Sequence, residues 1–259
     1  MLKRYKKRLF TRVNLLMILL IAAFTAANAV EAYFHYRGCT RDPNCYCAID
    51  ALVSNDIIAL KTSTYFWALY IMINVKLQSM SMHCIVIMKT RRRWLRYLYG
   101  EAFKCCVFTV LTAFITSFVT GLILGRGKIC NWHSVTSAFH YETAGIIGDR
   151  KTWIYALLLF IMSNIFFFFL CTCLYLVLDL AMGQSLATVV CAALAIITNF
   201  VVPKGGRAAA YGIQYFRWRS YNYYYALFGT VLLFLILFCG KIVLMRKDFV
   251  KKKCINFTK

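Results

Sequence analysis

One run of sequence limits this chain more than any other. Residues 153–178, WIYALLLFIMSNIFFFFLCTCLYLVL, contain no charged side chain. A helix needs about 20 mostly apolar residues to cross the hydrocarbon core of a bilayer, because only a closed hydrogen-bonding pattern satisfies the backbone there. Five further runs meet or approach that length: 13–30, 63–80, 105–124, 186–202 and 224–244. The run at 63–80 is the weakest, since Asn74, Lys76 and Gln78 fall in its last turns, where long side chains reach the headgroups. The expected fold is therefore an all-α integral membrane protein with six transmembrane helices in a single domain. Composition agrees: 61% of the 259 residues are hydrophobic and 15% are charged.

The formal charge of +22 would suggest nucleic acid as the partner of a soluble chain. In a membrane chain it reports orientation. With both termini on the cytoplasmic side, 20 Lys and Arg lie inside and 11 outside, against three acids inside and six outside. The basic lead-in 1–12 and the basic tail 245–259 are then cytoplasmic, the lipid bilayer is the surrounding partner, and no nucleic acid is expected. A rival reading takes residues 1–29 as a signal peptide, with a basic start, an apolar stretch and "AANA" as a cleavage site. It leaves five spans in the same orientation.

Between the second and third runs lies IVIMKTRRRWLRYLYGEAF, residues 85–103. On a helical projection Trp94, Tyr97 and Leu98 share an apolar face, while Arg92, Arg93 and Arg96 lie mostly away from it. This predicts a short amphipathic helix parallel to the membrane. Three uses compete: a solvated loop that fixes topology, a segment dipping Trp94, Leu95, Leu98 and Tyr99 into anionic lipid, and a docking element for a cytoplasmic partner.

Four of the twelve cysteines fall outside in this topology: Cys39, Cys45 and Cys47 in CTRDPNCYC, and Cys130 in the next outer loop. Their spacing does not suit zinc. A disulfide within the loop, or from it to Cys130, is expected in an oxidising compartment, with the connectivity open. Nothing forms a catalytic constellation: the four histidines are scattered, and GLILGRGK, residues 121–128, lacks the glycine spacing and hydroxyl residue of a phosphate loop. It reads as a helix exit. Asn164, within the fourth run, is expected to be satisfied by a neighbouring helix. The chain is thus expected to have no catalytic, cofactor or metal site of its own.

The layout resembles the membrane (permease) subunit of ABC-2 type ABC exporters of bacteria, similar to peptide-export and immunity permeases. The likeness covers nearly the whole chain in its order of elements: a basic lead-in, two spans, the 85–103 segment, and a tight inner turn, LDLAMGQS, between the fourth and fifth spans. The pattern itself covers only about 20 residues. Glu101 departs from it, where such segments continue basic. The resemblance implies that Lys89, Thr90, Arg91, Arg92, Arg93 and Trp94 form a coupling helix. That helix would touch a separate ATP-binding cassette subunit, which holds the ATP and Mg. It also implies a second membrane subunit, identical or a sister permease, an amphipathic (peptide) cargo, and a bacterial cell membrane. The alternative from another class is a non-transport membrane scaffold or assembly factor using the same basic residues on anionic lipid.

Overall fold

The computed structural model describes residues 12–54, 70, 73, 91–142, 150–200 and 223–246, and within them the chain is helical without strands. The helices whose bounds lie among the described residues are, in order, α1 Arg12–Thr40, α2 Ala48–Ser54, α3 Arg91–Leu124, α4 Ala138–Glu142, α5 Arg150–Met182, α6 Gln184–Phe200 and α7 Tyr223–Arg246. Among the described residues three are long and apolar enough to cross a membrane, over Asn14–Thr40, Arg93–Leu124 and Phe160–Met182. Shorter apolar stretches occupy Gln184–Ala193 and Thr230–Val243. The run expected at 63–80 lies outside the described residues, except for Tyr70 and Ile73, which are helical.

Contacts fix the directions. Ile21 clusters with Cys105 and Ala113, and Ala29 and Tyr33 cluster with Leu124, so α1 and α3 run the same way. The α5 helix runs against them: Cys106 meets Thr172, and Phe114 meets Phe160. Ile236 packs with Leu170 and Cys173, and Gly240 lies against Val177, so α7 runs with α5. Gly183, at φ 95°, turns α5 sharply into α6, and its carbonyl accepts the first α6 hydrogen bond from Ala187. The starts of α1 and α3, the Gly183 turn and the end of α7 therefore share one end of the bundle, the basic end.

Two helices overrun their apolar stretches. The first continues ten residues past residue 30 to Thr40, because nothing breaks it before Pro43. Its "AANA" sequence is helical, and the Tyr46 hydroxyl donates to the Ala29 carbonyl at 3.2 Å. The third departs from expectation more sharply. Residues 91–104 are not a separate helix parallel to the membrane but the first turns of one 34-residue helix. The change from charged to apolar at Lys104 is not a backbone signal. No proline intervenes, Gly100 is tolerated within the helix, and Glu101 bridges to Lys104 at 2.8 Å across the junction. At 1.5 Å per residue α3 is about 50 Å long, against about 30 Å of hydrocarbon.

Several hydroxyl groups within the long helices bond carbonyls of their own helix. Thr25 bonds the Ile21 carbonyl, Thr112 that of Phe108 and Thr172 that of Phe168. Asn164 likewise donates to the Phe160 carbonyl of its own helix at 2.8 Å.

Candidate functional site

Two regions carry the residues singled out by the sequence. At the basic end, Lys89 and Thr90 lie outside the described residues, and Arg91 and Arg92 open α3. Beyond them the helix sorts its side chains by face. Arg93 and Arg96 are exposed. Trp94, Leu95, Leu98 and Ala102 are buried in one cluster with Tyr175, Leu176 and Leu180 of α5 and Ala187 and Cys191 of α6. On an adjacent face Tyr99 reaches Gly240 of α7, where any larger residue would strike the Tyr99 hydroxyl and the Val177 side chain. The projected division into apolar and basic faces holds for these residues. The apolar face, however, is spent on this chain's own helices. Trp94 is 6% exposed and is part of the core. It anchors the basic turn rather than offering itself to a partner.

The opposite end carries a knitted cap built from 41–54 and 125–142. Leaving α3, Arg126 takes φ 54° and Gly127 φ 81°. The Gly127 N–H returns to the Leu122 carbonyl at 2.8 Å and the Arg126 N–H to that of Ile123 at 3.3 Å, the two bonds of a Schellman ending. The chain then runs beside the start of α2. The Ala48 N–H bonds the Lys128 carbonyl at 3.1 Å and the Ile49 N–H the Ile129 carbonyl at 3.2 Å. The Ala138 N–H bonds the Cys45 carbonyl at 2.8 Å, and the Asn131 amide the Asn44 carbonyl at 2.9 Å. Gly121 and Gly125 let this cap approach α3. A Cβ on Gly121 would fall 2.6 Å from Ala51 Cβ and 2.7 Å from Ala48 Cα, and one on Gly125 would fall 2.9 Å from the Tyr46 carbonyl oxygen. The 121–128 segment is a helix exit, as expected, and its Gly121 and Gly125 are also a helix-packing surface of the small-xxx-small kind.

At the centre of the cap sits Asp50, 3% exposed. One carboxylate oxygen accepts the Trp132 indole N–H at 2.8 Å, and the other accepts the Cys47 N–H at 3.0 Å. The second bond caps the start of α2, three residues back. Burial pushes Asp50 up to about 6 despite both donors, because removing a carboxylate from water costs more than they return. Trp132 stacks on Phe139 with centroids 4.3 Å apart.

The four outer cysteines separate here. Cys39 is exposed at the end of α1, within 3.9 Å of the His35 ring. Cys45 is buried, bonded to the Thr40 hydroxyl. Cys47, buried, and Cys130, half-buried, are free thiols in one apolar cluster with Trp132. Among the described residues no three His, Cys, Asp or Glu converge to hold a metal ion.

Sequence reasoning missed Asp50 and Trp132. They are 82 positions apart, and no local pattern joins them. The Gly121–Gly125 spacing was a signal in plain view. No family model, curated protein or solved structure matches the chain, so its likeness to ABC-2 permeases rests on the order of elements and the 85–103 pattern alone.

Proposed function

We propose that this chain is the membrane-spanning subunit of an ATP-driven exporter of the ABC-2 kind. It has six spans, both termini in the cytoplasm, and a second membrane subunit beside it in a bacterial cell membrane. The energy comes from a separate ATP-binding cassette subunit that holds ATP and Mg, and the cargo is an amphipathic molecule of the peptide class. The observation that carries this reading is the length and anchoring of α3. One unbroken helix runs from an exposed basic turn at Arg93 and Arg96 to the cap at Gly121 and Gly125. Its basic turn is fixed to α5 and α6 through Trp94, Leu95 and Leu98. A partner pressing on the arginines moves a rigid rod, and the other end of that rod carries the cap, so motion at one face reaches the other.

The same burial weighs against an in-plane lipid anchor. That use needs Trp94, Leu95 and Leu98 in the headgroup region, and all three are inside the protein. Reversing the charge tests the proposal. The pair Arg93→Glu and Arg96→Glu is expected to lower the amount of ATPase subunit that co-purifies with the chain by tenfold or more, with membrane insertion unchanged. Undiminished association would remove the coupling role from this turn.

A further inference from the structure

We propose that Cys47 and Cys130 form a disulfide that staples the two halves of the cap. The geometry selects this pair from the four outer cysteines. The segments bearing them lie side by side, held by the Ala48–Lys128 and Ile49–Ile129 backbone hydrogen bonds. Both residues belong to one apolar cluster with Trp132 and Phe139. Cys45 faces Thr40, and Cys39 sits apart at the end of α1.

The environment divides the chemistry between the two sulfurs. Cys130 is half-buried, and the neighbouring Cys47 side chain holds its thiol below the ordinary value. Cys47 is fully buried and hydrogen-bonded to Asp50. The oxidant is the disulfide of a thiol–disulfide oxidoreductase of the outer compartment. Cys130 gives its proton to solvent, and its thiolate attacks one sulfur of that disulfide, forming a mixed disulfide and releasing the carrier's other sulfur as a thiolate that takes up a proton. Asp50 takes the proton from Cys47, whose sulfur then attacks Cys130 Sγ and expels the carrier's second thiolate. Two electrons pass to the carrier, which leaves as a dithiol, and Asp50 returns its proton to solvent or to the departing thiolate. The product closes a covalent loop around residues 48–129, which contains the 85–103 segment and all of α3.

The inference rests on the proposed function only for the side on which the cap lies, and the test separates the two. Cells are treated with a membrane-impermeant maleimide, then quenched in acid. Remaining thiols are alkylated in denaturant, and the chain is digested with trypsin. The expected product is residues 42–61 linked to residues 129–150, two hydrogens lighter than the separate peptides and split by reductant. The link is expected to persist in Cys45→Ser and to vanish in Cys47→Ser. Alkylated Cys47 and Cys130 in the wild-type chain, or a link to Cys39 or Cys45 in their place, overturns the proposal without any variant having to fold. Exposed Cys39 reports the side independently: labelled by the impermeant reagent, it places the cap outside whatever the state of the pair. Unlabelled Cys39 with a linked pair upholds the staple and sinks the orientation. Unlabelled Cys39 with free thiols sinks both.

Discussion

At the scale of single residues, the least expected group is Asp50. It is a buried carboxylate held by an indole and a backbone N–H. Its folded-state value of about 6 lies above the 3.8 of an ordinary aspartate. The proton is therefore bound more tightly in the folded cap than in the unfolded chain. The increment of stability is fully present below about 4 and is lost as pH rises through about 6. Its size is on the order of 3 kcal/mol, from about 1.4 kcal/mol per pKa unit. Thermal unfolding in detergent, followed by tryptophan fluorescence from pH 4 to 8, is expected to show this fall in the wild-type chain. Asp50→Asn, which does not titrate, is expected to lose it. An identical pH profile in the two would show that Asp50 does not control the cap. Residues of this sort are illegible in a sequence, because what makes Asp50 unusual is Trp132, brought to it by the packing of α2 on α3. Trp94 was legible in part. The projection put it on an apolar face, but nothing in the spacing said whether lipid, a partner or this chain would cover that face. Tyr175, Leu176 and Leu180 supply the answer from 80 residues away.

At the scale of elements, apolar runs announced where helices would be and charge misled about where they would end. Hydropathy marks the part of a helix that lies in lipid. It does not mark the backbone's own stops, which are residues such as Gly183, or the Arg126–Gly127 pair at positive φ. Hence α1 and α3 run past their apolar stretches. Two glycines on α3 make the point testable, since they sit in the same helix with opposite surroundings. Nothing lies within 4 Å of a Cβ placed on Gly100, so Gly100→Ala is expected to stabilise the chain by about 0.5–1 kcal/mol through helix propensity. A Cβ on Gly121 meets Ala48 backbone at 2.7 Å, which cannot rotate away, so the same propensity gain is outweighed. Gly121→Val is expected to cost about 3 kcal/mol and to expose the 125–142 segment to protease. Equal effects at the two positions, read as shifts in thermal midpoint, would contradict the docking of α2 on this surface.

At the scale of the whole molecule, the described helices form an antiparallel bundle with a basic end and a capped end, tied together by α3. Three of these helices are long and apolar enough to cross a membrane, which fits a membrane protein. The cap and the basic turn differ in kind: the cap is closed by its own hydrogen bonds, whereas Arg93 and Arg96 are turned outward. An outward basic turn on a rigid rod suits a partner that pushes, and the chain's proposed place in an exporter depends on that partner hydrolysing ATP. The most direct measurement is purification of the untouched chain from its native membranes in mild detergent. The co-purifying subunits are then identified and assayed for ATP hydrolysis. The expected result is a stoichiometric companion that binds and hydrolyses ATP and is released by the Arg93→Glu, Arg96→Glu pair. An intact chain that purifies with no nucleotide-hydrolysing companion would contradict it.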